Sequence, residues 1–209
     1  MSKFIVLEGS EGVGKSTQQK LLAAFLESQG QRVLLTREPG GTALGESIRA
    51  LILGQDNKKN LSPWSELFLM FAARAQHIQE VISPALAQGF WVISDRFLDS
   101  SLAYQGAGRG LPLDAISSMG SWIIPKNLEP DLVLVFDAPL ELSKNRIQNR
   151  GQVLDRIEQE SRDFFERVQN YFVEKTIAEP ERYKRIQAAA AIDSVASEIK
   201  AILTSHFQL

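Results

Sequence analysis

The 209-residue chain contains no cysteine, which removes disulfides, iron–sulfur ligation and thiolate zinc sites from consideration. Histidine is nearly as scarce. His77 and His206 are the only two, too few for a histidine-rich metal centre, and His77 is expected on a helix surface or at an interface. No apolar stretch approaches the roughly 18 residues that suggest a membrane span. Residues 1–4 offer no secretory hydrophobic region, because they run directly into a short strand. Excess charge is missing too: 23 Lys and Arg against 25 Asp and Glu leave a net charge of −2, which gives no general reason to bind nucleic acid or an anionic membrane. Repeats and low-complexity segments are absent. What remains is an ordinary globular composition, long enough for one well-buried core; a single domain over 1–209 and a cytoplasmic location are expected.

Against these absences one motif stands out. Gly9-Ser10-Glu11-Gly12-Val13-Gly14-Lys15-Ser16 fits G-x-x-x-x-G-K-[ST] at every fixed position. The apolar run Phe4-Ile5-Val6-Leu7 before it reads as a buried strand, and Leu21, Leu22, Phe25 and Leu26 after it fall at helical spacing. Strand, glycine-rich turn and helix together place backbone N–H groups and a helix N-terminus around a phosphate. Residues 9–16, with Thr17, are thus the expected ATP-binding loop. Lys15 is expected to reach the β- and γ-phosphates and the Ser16 hydroxyl to sit on Mg²⁺.

Four further apolar segments read as strands: 32–36, 90–94, 131–136 and 183–187. Helical patterns are expected between them, at 42–52, 63–88 (kinked or broken at Ser83 by Pro84), 100–105, 113–124, from 140 onward, 156–178 and 192–204. Thr42 and Ser62 are suited to cap two of these, and residues 54–62 read as an exposed polar loop. Strands alternating with helices of this length imply an α/β fold around a parallel sheet, whose ligand crevice lies beyond the carboxyl ends of the strands. Segments 9–16, 37–42, 95–105 and 146–156 all lie beyond strand ends or in an inserted lid, which implies a second bound group beside the triphosphate.

The residue types in those segments suit an anionic, aromatic ligand. Phe71 and Arg74, three apart on one helix face, can meet a base and a phosphate; Phe71 serves equally well as a core side chain. Asp95 and Arg96 end a central strand beside the phosphate loop, where Asp95 can organise Mg²⁺ and Arg96 can bind phosphate; a buried structural ion pair is the alternative. Residues 144–156 carry Lys144, Arg146, Arg150 and Arg156 against Asp155, a local charge of +3 broken by Gly151. A basic flap of this kind can close over transferring phosphates.

Four features make the chain similar to the thymidylate kinases over essentially its full length. They are the phosphate loop with Glu11 inside it; Arg37-Glu38-Pro39-Gly40-Gly41-Thr42; Asp95-Arg96-Phe97 followed by Ser100-Ser101-x-x-Tyr104-Gln105-Gly106; and Leu154-Asp155-Arg156-Ile157-Glu158. The resemblance implies a three-layer P-loop kinase fold, a five-stranded parallel sheet of order 2-3-1-4-5 flanked by helices, with a lid at about 144–156. It implies Mg²⁺-dependent, in-line transfer of the ATP γ-phosphoryl group to dTMP, and a homodimer packed through helices. It further implies an acceptor site of Glu11, Arg37, Glu38, Pro39, Phe71, Arg74, Arg96, Ser101, Tyr104 and Gln105. In it Phe71 stacks on thymine, Arg96 holds the acceptor phosphate, Ser101 and Gln105 help read the base, and Tyr104 presses near C2′. Glu38 is implied to help place Mg²⁺ through water, beside Ser16 and Asp95. The phosphate loop has no arginine of its own, so the lid must supply one; Arg150 and Arg156 are the candidates, joining Lys15, Asp95, Arg96 and Glu11 as the catalytic set. The adenine is expected near the lid stem and residues 187–189. Two other readings share the first motif: a P-loop kinase for another nucleotide or a nucleoside, and a nucleotide-binding switch or interaction module without turnover. A guanine-reading Asn-Lys-x-Asp sequence is lacking, since Asn57-Lys58-Lys59-Asn60 has no final Asp.

Overall fold

Five short strands form the centre of the computed structural model, which describes residues 1–54 and 61–209. They are β1 (Lys3–Glu8), β2 (Val33–Arg37), β3 (Trp91–Asp95), β4 (Leu132–Asp137) and β5 (Tyr183–Gln187), all parallel, in the order β2-β3-β1-β4-β5. The helices are α1 (Lys15–Ser28), α2 (Ala43–Leu53), α3 (Pro63–His77), α4 (Ser83–Ala87), α5 (Leu98–Ser101), α6 (Leu113–Ile123), α7 (Leu140–Gln148), α8 (Arg162–Ala178) and α9 (Ile192–Phe207). The polar stretch over 54–62 lies largely outside the described residues.

Alternation along each strand builds three layers. Phe4 and Val6 of β1, Val92 of β3 and Val133 and Val135 of β4 face a layer containing Ala85 of α4 and Phe164, Val168 and Phe172 of α8. Ile5 and Leu7, Ile93, and Leu132 and Leu134 face Leu22 and Leu26 of α1 and Val195, Ile199 and Leu203 of α9. Covering both faces is what near-continuous apolar strands require. Among the described residues no helix is long and apolar enough to cross a membrane.

The expected caps form: Thr42 Oγ1 accepts from the Gly45 N–H at 2.9 Å and Ser62 Oγ from the Ser65 N–H at 3.1 Å. Two helical expectations are settled in part or corrected. Of the kink or break expected at Ser83 the break does not occur; a π-helical segment, Ile78–Ile82, lies immediately before α4 and accommodates the missing proline N–H within a continuous helical run. The helix expected from Arg156 starts only at Arg162, where Ser161 Oγ accepts from the Phe164 N–H at 3.2 Å. Before it, Asp155 and Glu158 form a reciprocal capping box: Asp155 Oδ1 accepts from the Glu158 N–H at 2.8 Å and Glu158 Oε2 from the Asp155 N–H at 3.0 Å. That box closes a single turn over 156–159 and the chain then bends away.

Candidate active site

The carboxyl ends of β1, β2 and β3 open into a cavity of about 780 Å³, walled also by α2, α7 and the turn after the lid. Its floor is the glycine-rich loop joining β1 to α1. That loop passes so close to its neighbours that a Cβ on Gly9 would lie 2.4 Å from the Phe136 carbonyl oxygen, and one on Gly12 would lie 2.4 Å from that of Ser143. Both glycines also have positive φ, so any other residue there is strained as well as crowded. Lys15 Nζ folds back to donate to the carbonyls of Gly9 (3.0 Å) and Ser10 (2.7 Å). Burial, reinforced by the Arg96 charge, lowers the Lys15 pKa to about 8 despite nearby Asp95, Glu11 and Glu8.

Arg96 follows β3 in a left-handed conformation, φ 76°. Its N–H donates to the Leu7 carbonyl at 2.9 Å, so the backbone turns sharply over the end of β1. The guanidinium donates to Glu11 Oε1 at 2.8 Å, to the Tyr104 hydroxyl at 3.0 Å and to Ser100 Oγ at 3.0 Å, while the Tyr104 hydroxyl donates to Glu11 Oε2 at 2.7 Å. Burial works against the Arg96 charge, but Tyr104, Glu11 and Asp95 outweigh it and hold the group protonated. Tyr104 and Gln105 are carried by a second π-helical segment, Leu102–Gly108. Such segments recur at functional sites because they turn side chains off the regular helical face.

Mg²⁺, which the P-loop fold implies, finds suitable donors. Asp95 Oδ2 accepts from Ser16 Oγ at 3.3 Å, and Asp95 Oδ1 is buried without a hydrogen-bond partner. Hard oxygen donors, few in number and beside a phosphate site, are the set that Mg²⁺ takes. Glu38, by contrast, is committed elsewhere: its carboxylate pairs with Arg74 Nε at 2.7 Å and His77 Nδ1 at 2.9 Å.

The structure brings Glu11, Lys15, Ser16, Thr17, Arg37, Glu38, Pro39, Asp95, Arg96, Tyr104, Gln105 and Arg150 to one cavity, with the loop residues Gly12, Val13 and Gly14. Gly9 and Ser10 sit below it through their carbonyls. Phe71, Arg74, Ser101 and Arg156 do not reach the wall and are packed behind it. Arg74 sits over the Phe71 ring at 5.2 Å and donates to Ser101 Oγ (3.0 Å) and the Phe97 carbonyl (2.8 Å). Arg156 is turned inward, its Nε donating to the Ile52 carbonyl at 2.8 Å and its Nη2 to Glu66. Arg150 is half-exposed at the cavity mouth, paired with Glu158, and Arg146 Nη1 donates to the Ala188 carbonyl at 3.0 Å, joining the lid stem to the loop after β5.

His77 is corrected: it is fully buried rather than on a surface, joining Glu38 to Thr36 Oγ1 at 2.6 Å. It fits there because a Cβ on Gly41 would meet the ring at 2.7 Å. Arg49 was missed altogether. It lines the cavity from α2 and donates to the Pro39 carbonyl at 3.1 Å; burial and the charges of Arg37 and Arg96 hold its pKa below the ordinary arginine value. Its one sequence signal is a basic residue between Ile48 and Ile52 on the buried stripe of a helix capped just after Glu38-Pro39-Gly40-Gly41. Five guanidiniums gathered around one cavity, those of Arg37, Arg49, Arg96, Arg146 and Arg150, only partly compensated by carboxylates, make a site for an anion.

A phosphate-cradling turn after β1 that faces this arginine cluster places the protein among the P-loop kinases of the α/β class. The family model described as thymidylate kinase matches residues 7–199. A thymidylate kinase of Pseudomonas syringae pv. tomato is 48% identical over 206 residues, spanning 99% of this chain and 97% of that protein. One of Neisseria gonorrhoeae is 45% identical over 205 residues, 98% of each. The crystal structure of thymidylate kinase from Ehrlichia chaffeensis superposes with a TM-score of 0.78 at 33% identity, covering 97% of this chain and 98% of that one. The chain belongs to the thymidylate kinase family.

Proposed function

We propose that this protein transfers the γ-phosphoryl group of ATP in line to the phosphate of dTMP, giving dTDP for dTTP synthesis. One observation carries the reading: Arg96, oriented by Glu11 and Tyr104, lines the same cavity as Lys15 and Ser16. A donor-phosphate cradle and a second phosphate-binding cation therefore share one chamber. The named relatives at 45–48% identity support the choice of acceptor.

The acceptor oxygen is already anionic near neutral pH, so no strong general base is needed. The work left to the side chains is alignment and charge neutralisation. Lys15 leaves the Gly9 and Ser10 carbonyls to meet the β- and γ-phosphates, and the loop N–H groups bind the rest of the triphosphate. Arg96 holds the acceptor phosphate, with Arg37 and Arg49 beside it, and Glu11 fixes the Arg96 guanidinium. Mg²⁺ held by Ser16 and Asp95 would supply further neutralisation of the phosphate charge. Arg150, at the cavity mouth, is the lid arginine for the transferring group, and the lid over 144–156 belongs to a single kinase domain. The Arg146–Ala188 contact marks the side where the adenine rests. Phe71 and Arg74 serve the base end from behind the wall, Arg74 through Ser101. Tyr104 crowds the sugar edge and disfavours a ribose.

On α3, Trp64 and Phe68 stack at 5.9 Å between ring centroids while both remain exposed. We assign that pair to a two-fold helix–helix contact of a homodimer. A cytoplasmic location accords with these proposed substrates. Coupled ADP release with dTMP, dUMP, dCMP, AMP, GMP and UMP tests the function. A clear dTMP preference is expected; equal rates with AMP or GMP would overturn the assignment.

A further inference from the structure

Glu66 is a fully buried carboxylate that the phosphoryl transfer does not use. It lies in the first turn of α3 and gathers three donors from distant parts of the chain. Gln105 Nε2 and Arg109 Nε donate to its Oε1 at 2.7 and 2.8 Å, and Arg156 Nη2 donates to its Oε2. Burial alone would raise its pKa, but the bonds and charge of Arg109, with those of Gln105 and Arg156, pull it below the ordinary glutamate value. Glu66 is therefore ionised and can only accept.

This has a geometric consequence for Gln105. The carboxamide must turn its NH₂ group to Glu66, which fixes which way its oxygen points. Gln105 Oε1 is buried and has no hydrogen-bond partner, and the residue borders the large cavity next to Tyr104. A buried amide oxygen left in this state calls for an N–H donor from a ligand.

We infer that Glu66 is a positioning residue that locks the Gln105 carboxamide with its oxygen as acceptor, so that the site selects a nucleobase presenting a ring N–H. The inference rests on the proposed dTMP reaction and deepens it. Thymine carries a proton on N3. Cytosine carries a lone pair there, which would meet the Gln105 oxygen lone pair to lone pair. An unrestrained glutamine could turn over and offer NH₂ to cytosine instead; the carboxylate behind it forbids that. The same carboxylate anchors the end of the lid through Arg156, whose backbone N–H also donates to the Leu53 carbonyl. Base selection and the base of the lid thus share one buried charge.

The test is the ratio of kcat/KM for dTMP to that for dCMP. Glu66→Gln, whose amide can donate or accept, is expected to lower the ratio by about tenfold or more, the worth of one buried unpaired group. Glu66→Asp keeps the charge that Arg109 and Arg156 need while drawing the carboxylate away from Gln105, and is expected to lower it by about threefold. In a Gln105→Met background neither change moves the ratio further, which a merely structural role for Glu66 would not produce. In the wild-type protein the Gln105 side-chain amide protons, assigned by their loss in Gln105→Met, exchange slowly with solvent. The inference is overturned by a ratio unchanged in a folded Glu66 variant, by an equal effect in the Gln105→Met background, or by fast exchange of those amide protons. A wild-type enzyme that does not prefer dTMP to dCMP would instead defeat the reading of function.

Discussion

Glu8→Gln exchanges one carboxylate oxygen for an amide nitrogen in the middle of the molecule, and should make the protein more stable at alkaline pH. Glu8 ends β1 with no exposure to solvent. Its Oε1 accepts from the backbone N–H groups of Phe97 (2.9 Å) and Ser100 (3.2 Å), and its Oε2 takes a 2.6 Å bond with Ser100 Oγ. Burial, and then the Asp99 carboxylate, push its pKa from 4.5 up to about 7, against Arg96 and the bonds from Ser100 and Phe97. Lys15 and Tyr171 are its other ionisable neighbours. Between those two values the native state holds a proton that the unfolded chain has released. The stability this brings is complete below pH 4.5 and is lost as pH rises through 7. At about 1.4 kcal/mol per tenfold in proton affinity, the loss is about 3 kcal/mol by pH 8. Glutamine copies the neutral acid: its oxygen accepts the two backbone N–H groups and its NH₂ donates to Ser100 Oγ. Urea unfolding at intervals from pH 4.5 to 8 measures the difference. The variant should match the wild type at the acid end, gain on it as pH rises from 4.5 to about 7, and hold that advantage at pH 8. Parallel curves, or a variant that falls further behind at pH 8 than at pH 5, would refute the argument that Glu8 is held protonated by its surroundings.

The two lid arginines should separate cleanly. Arg150→Ala, half-exposed at the cavity mouth, is expected to lower the single-turnover rate by about a hundredfold with little change in stability; an unchanged rate removes it from the transfer step. Arg156→Met leaves Glu66 with one guanidinium fewer and should cost about 3–5 kcal/mol in urea unfolding, and a stability equal to wild type would mean the buried pair contributes nothing. Phe68→Asp places a charge on the exposed aromatic pair of α3 and should halve the mass seen by light scattering from about twice 23.3 kDa to that of one chain. A wild type that already scatters as one chain rejects the dimer.

What could be read from the sequence was whatever acts through neighbours in the chain. The phosphate loop is eight consecutive residues between a strand and a helix, and its spacing alone locates Lys15 and Ser16. The five strands announce themselves by apolar runs, and the caps at Thr42 and Ser62 by residue type three positions before the N–H they accept. Failures came where a local signal was overruled from outside. The Asp155–Glu158 box is a helix start by every local criterion, yet Arg156 between them is drawn inward to Glu66, 90 residues away in sequence, and the chain cannot wind on from there. Pro84 is expected to kink or break its helix; the break does not occur, because the missing bond is absorbed in the π-helical turn before it, which no residue pattern distinguishes from an ordinary helical turn.

The same division explains the site. Residues that present a group to the cavity carry visible types in visible motifs: Glu11, Arg37, Asp95, Arg96, Tyr104. Residues that hold those groups in place do not, because their chemistry depends on partners assembled only by folding. Arg96 is in the left-handed region that arginine rarely adopts, and what sustains it is a set of bonds from elsewhere. Its N–H reaches back to Leu7, its guanidinium is fixed by Glu11 and Tyr104, and the turn after it is fastened by Glu8, 89 residues from Phe97. Glu8, Glu38 and Glu66 share one role: each is a buried carboxyl group whose bonds fix a turn, an arginine or an amide beside the cavity. The local motifs therefore locate the cavity, Glu38 among them, while the pairings of the buried carboxyl groups exist only in three dimensions and fix how the arginines and the amide are aimed.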